Sequence, residues 1–150
     1  MRRLIGFFFT IIFGACVAIL LPSIVQGSEN ISAEQELKDF ADYNLTICGT
    51  GARRAISSWH AGRQVSEQYE FGDCIADARM EGKKLYLAAL AKVTGKAQAE
   101  AALKDYFATW LTALASVKPN SYETIGTYNH RQSDFMARIE LLWNKFELEK

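Results

Sequence analysis

Residues 95–119 read GKAQAEAALKDYFATWLTALASVKP, and the spacing of their apolar members decides the fold. Ala99, Leu103, Tyr106, Phe107, Trp110, Leu111, Leu114 and Val117 follow one another in steps of three, four and one. That rhythm places them on one face of a helix, whereas a half-buried strand needs steps of two. Thr94-Gly95 punctuates the stretch in front, and Lys118-Pro119-Asn120-Ser121 ends it, because proline cannot continue a helix.

The same period continues on both sides. Towards the C-terminus, Asn120 with Glu123 reads as a box-like start. The last helix then carries Ile125, Tyr128, Gln132, Phe135, Met136, Ile139, Leu142, Trp143 and Phe146 inward. Towards the N-terminus, a helix from Gln64 to Val93 is expected on Phe71, Ile75, Ala78, Gly82, Leu85, Ala89 and Val93. Gly72, Ala76, Ala78 and Gly82 keep that stripe thin, which suits close packing; two helices joined near Gly72 would explain the glycines equally. Before it, Thr50 caps a short helix over Ala52 to His60, with Ala55, Ile56 and Trp59 inward and Ala61-Gly62 at its end. Ser32, with Gln35 completing a capping box, starts the first helix on Leu37, Phe40, Ala41, Leu45 and Cys48. Gly49-Thr50-Gly51 is expected to stop it, glycine supplying the left-handed cap. Short connections between long amphipathic helices make neighbours antiparallel. The prediction is all-α, an antiparallel bundle of four to five helices, the last three up-down-up and the first two across them.

The chain opens with Met1-Arg2-Arg3, an apolar run from Leu4 to Val25 interrupted by Pro22, and small residues at Val25 and Gly27 around a cut site. This is the order of a secretory signal, so residues 1–27 are expected to be removed and 28–150 to form a single helical domain. Two alternatives stay open. The run over 4–25 is long enough to be retained as an inner-membrane anchor, and Gly14-Ala15-Cys16 sketches a lipoprotein site, with Phe13 a poor fit. Loss of Arg2 and Arg3 leaves 15 basic against 17 acidic residues, a net charge of −2. Such a domain has no global field for nucleic acid.

Cys16 leaves with the leader, so Cys48 and Cys74 remain as an even pair in an oxidising compartment and are expected to form one disulfide. Free buried thiols and metal ligation are the rival readings. The second has no Cys-x-x-Cys and no closely spaced histidines to support it, and neither a metal nor a cofactor is expected.

Two local patterns could carry chemistry. Thr50, Arg53 and Arg54, with Arg63 nearby, form a candidate anion or partner site, since a glycine turn opening a helix presents N–H groups to an anion. Glu123, His130 and Asp134 repeat at seven and four residues and form a candidate polar face for acid–base chemistry. The plainer accounts are a pair of helix caps and a solvated stripe. Tyr69, Tyr86 and Tyr122 lie off the inner stripes and suit a protein-binding face. With no nucleophile elbow and no metal motif, the expectation is a non-enzymatic, periplasmic or secreted binding module for another envelope or secreted protein. It would be an inhibitor or immunity-type protein, or an accessory factor of an envelope or secretion system. The alternatives are a membrane-tethered structural subunit, and a small periplasmic enzyme using the Glu123, His130 and Asp134 face.

Overall fold

A computed structural model of the chain describes residues 31–65 and 71–150, and among these the backbone builds four helices and no strand. They are α1 (Ala33–His60), α2 (Asp73–Val93), α3 (Ala97–Ala115) and α4 (Ile125–Glu149). The leader over 1–27, the anchor reading of 4–25, and Tyr69 lie outside the described residues. Among the described residues no helix is long and apolar enough to cross a membrane.

α1 starts as the sequence predicts, with the Ser32 hydroxyl accepting from the Gln35 N–H at 3.2 Å. The reciprocal half of the box is absent, because the Gln35 amide instead donates to Asp39 at 2.8 Å. The expected stop at Gly49-Thr50-Gly51 does not occur, and the predicted first and second helices are one helix of 28 residues. Gly49 and Gly51 are buried in its interior rather than placed at a cap. A Cβ on Gly49 would stand 3.3 Å from the Tyr128 hydroxyl of α4, so this glycine admits a close neighbour. Thr50 caps nothing; its hydroxyl donates to the Thr46 carbonyl at 2.9 Å.

The real end lies at Gly62, whose φ of 69° only glycine adopts without strain. There the Gly62 N–H donates to the Trp59 carbonyl and the Arg63 N–H to the Ser58 carbonyl, each at 2.9 Å. These paired bonds are the Schellman arrangement, and they satisfy carbonyls that the helix end would otherwise leave open.

The helix expected from Gln64 begins only at Asp73, after a wide π-type turn at Phe71–Gly72. Residues 61–65 are not helical, and Gly72 has helical backbone angles that lead straight into α2. Ala76 is exposed and does not belong to the inner stripe. Gly82 does belong: a Cβ there would fall 2.5 Å from the Trp110 ring, a separation no packed carbon tolerates. α4 also begins later than the Asn120–Glu123 box implies. Those residues close a turn, with Glu123 accepting from the Asn120 N–H at 3.2 Å, while Thr124 and Thr127 form the box that starts the helix. Ile125, predicted inward, is exposed.

Contacts between α1 and α2 run in opposite senses, Cys48 meeting Cys74 near one end and Phe40 lying against Gly82 further along. Cys48 and Cys74 stand at disulfide distance, with Cα atoms 5.7 Å apart. α3 meets α4 in the same opposed sense, Tyr106 against Trp143 at 5.1 Å and Ser116 bonded to Gln132 at 3.1 Å. Besides ring packing such as that of Phe40 on Trp110, polar contacts join the halves. The buried Trp110 indole donates to the Ala41 carbonyl at 3.1 Å. Lys38 of α1 reaches Glu140 of α4 at 3.1 Å and Asp42 at 2.7 Å. Burial alone would lower the Lys38 ammonium, but these two carboxylates together raise it. Among the described residues the core holds no polar or charged residue, the phenols of Tyr106 and Tyr128 being its polar tips. Neither hydroxyl has a hydrogen-bond partner among the described residues. Burial pushes Tyr106 above the usual phenol range and Tyr128 up to about 12.

Candidate functional site

Thr50, Arg53, Arg54 and Arg63 line one depression of about 450 Å³ together with Ser57 and Ser58. The unbroken α1 explains the grouping. Positions 50, 53, 54, 57 and 58 follow the three-and-four rhythm of one helix face, and the turn at Gly62 carries Arg63 back beside Ser58. The reason given by the sequence, a helix N-terminus with open N–H groups, does not hold at mid-helix. What remains is side-chain charge. The Arg53 guanidinium is oriented by donating to the Thr50 hydroxyl at 2.9 Å.

The second predicted face is divided. His130 and Asp134 stand 3.8 Å apart at the surface, 84% and 70% exposed, and solvent screens any coupling between them. Glu123 lies before the helix start rather than two turns back along it, and it is committed elsewhere. Arg131 donates to its two oxygens at 3.0 and 2.8 Å, and also to the Ser116 carbonyl. That guanidinium holds the Glu123 carboxyl below the usual carboxylate range, against a smaller opposing push from burial. Glu123 is thus a clamp between the α3–α4 connection and α4, not a partner of His130. His130 and Asp134 do line a hollow of about 620 Å³ with Gly126, Thr127, Arg131, Phe135 and Arg138. Among the described residues no three His, Cys, Asp or Glu side chains are grouped to hold a metal.

Of the tyrosines expected on a binding face, Tyr69 lies outside the described residues and the other two sit in different settings. Tyr86 stacks on Phe107 at 4.3 Å, and Tyr122 stands exposed on the α3–α4 connection. A different surface presents apolar side chains together. Between α1 and α2, Ile31, Phe40, Tyr43 and Leu85 line a groove of about 420 Å³ whose acidic members are Glu36, Asp39 and Glu81. Ile31 and Tyr43 are 62% and 64% exposed, and Ile47, one turn beyond Tyr43, is 46% exposed. Sequence reasoning passed over Tyr43 and Ile47. The signal was present, since both are apolar yet fall off the stripe of Leu37, Ala41, Leu45 and Cys48. No family model, curated protein or solved structure matches this chain.

Proposed function

We propose that the protein is an exported helical binding module that docks a basic, partly apolar surface of another envelope or secreted protein. It would act as an inhibitor or immunity-type protein, or as an accessory factor of an envelope or secretion system. In this reading the four helices form an antiparallel bundle in which each helix opposes the next, braced by Cys48–Cys74 and freed of residues 1–27 by cleavage.

The observation that carries the reading is the groove between α1 and α2. Apolar side chains held in water at Ile31, Tyr43 and Ile47 are of the kind that aromatic-rich interfaces bury. Glu36, Asp39 and Glu81, which line the groove with Ile31 and Tyr43, favour a cationic partner and would speed its approach. No catalytic group is required at this surface, and the separation of Glu123 from His130 weakens the case for acid–base chemistry on α4.

Capture from envelope extract under oxidising conditions tests the proposal. Wild type should recover a stoichiometric basic protein, released as salt is raised. Tyr43→Lys should lose it, while Tyr122→Lys, on a different surface, should keep it. Equal recovery with both variants overturns the assignment. A mature N-terminus at Ser28, read by mass spectrometry, tests the export part separately; an intact residue 1 would favour the tether.

A further inference from the structure

The depression lined by Thr50, Arg53, Arg54, Ser58 and Arg63 lies on the C-terminal half of α1, apart from the acidic groove. Among the described residues no carboxylate is within ion-pair distance of Arg53, Arg54 or Arg63. Lys38, Lys84, Arg131 and Lys150 each hold an acidic side chain, whereas these three arginines share one depression. A helix dipole draws cations to its C-terminal end, but the effect fades within the last turn. Arg53 and Arg54 lie more than a turn before His60, so the dipole does not account for them.

Donor chemistry narrows the ligand. The hydroxyl hydrogens of Thr50 and Ser57 are committed to the carbonyls of Thr46 and Arg53, at 2.9 and 3.0 Å. Thr50 therefore serves as the acceptor that fixes Arg53 at 2.9 Å, and the guanidinium groups supply the donors. Guanidinium forks match tetrahedral oxyanions in pairs of hydrogen bonds, and three of them suit a multiply charged group better than a single carboxylate. The volume of about 450 Å³ exceeds what a bare anion fills and leaves room for the body that carries it.

We propose that Arg53, Arg54 and Arg63, with Thr50 and Ser58 beside them, bind a phosphoryl group borne on a larger molecule. The group comes either from a soluble phosphate ester or from a lipid headgroup at a membrane surface. This site stands independently of the docking groove.

The experiment uses the full oxidised chain at low ionic strength. Calorimetric titration with inorganic pyrophosphate and with glycerol phosphate forms one arm. Co-sedimentation with phosphatidylglycerol vesicles, against phosphatidylcholine vesicles, forms the other. Saturable binding in the first arm assigns a soluble ester, and selective sedimentation in the second without the first assigns a headgroup. In either arm Arg53→Gln with Arg54→Gln should weaken binding about tenfold or more, as loss of charge-assisted hydrogen bonds implies. Arg54→Gln and Arg63→Gln, both at exposed positions, should each weaken it without lowering the melting temperature. Absence of binding in both arms, or binding that the variants leave unchanged, overturns the proposal.

Discussion

The two halves of this molecule hold together by different means. The buried residues of α1 and α2 are mostly small, among them Ala41, Gly49, Ala52, Ala55, Ala78 and Gly82, and Cys48 and Cys74 stand at disulfide distance between the two helices. Where α3 meets α4, the seam is aromatic. Tyr106, Trp143 and Phe146 pack with ring centroids 5.1 Å apart in successive pairs, and Phe107 and Trp110 extend the cluster towards the first half. Apolar stabilisation scales with area removed from water, so an alanine and glycine seam gains little per residue and an aromatic seam gains much.

The contrast can be broken at either seam. The largest effect is expected from Trp143→Ala, which should cost about 4 kcal/mol in denaturant unfolding, because it empties the aromatic seam. If it costs less than loss of the disulfide, the aromatic half is not the stronger one. Reduction, Cys48→Ser and Cys74→Ser should each cost about 3.5 kcal/mol by the chain-entropy relation for this loop length. Unequal losses from the two single variants would mean that the cysteines do not act as a pair. Gly82→Ala should cost about 2 kcal/mol, since the clash with Trp110 outweighs the roughly 1 kcal/mol of helix propensity gained. A neutral result would show that the α2 seam can open to admit a methyl group.

The smallest effect concerns the clamp at the end of the aromatic half. Glu123→Gln should cost about 1 kcal/mol at neutral pH. Arg131 lowers the carboxyl in the folded chain relative to the unfolded one, so its contribution is present above the unfolded value. It fades as pH falls through the lower, folded value. Wild type and variant should therefore converge in melting temperature on acidification. A gap that persists at the acid end would trace the loss to packing rather than to the ion pair.

Much of this fold was legible because periodicity reports burial directly. Leu103, Tyr106, Trp110 and Leu114 were read inward and are buried, as are Tyr128, Ile139, Trp143 and Phe146. Helix ends were less legible, since a glycine that caps and a glycine that admits a neighbour look the same in sequence. Gly62 and Gly95 have positive φ and terminate helices; Gly49 and Gly82 make room for Tyr128 and Trp110. Only the tertiary partner distinguishes them. The candidate site shows the same limit. Arg53, Arg54 and Arg63 were singled out for a cap that does not exist, yet the unbroken helix and the turn at Gly62 bring them to one depression. Glu123 was grouped with His130 by spacing alone, and spacing counts only inside a helix, which begins after Glu123.

A bond between Cys48 and Cys74, which stand at disulfide distance, also acts on the chain between them. It turns residues 49–73 into a closed ring, so a protease cutting once anywhere in that ring releases nothing. The nicked molecule would gain the mass of one water and still run as a single species until a reductant parts it into two pieces. A protein working among secreted proteases would in this way carry the arginines of α1 on a segment that survives a first cut.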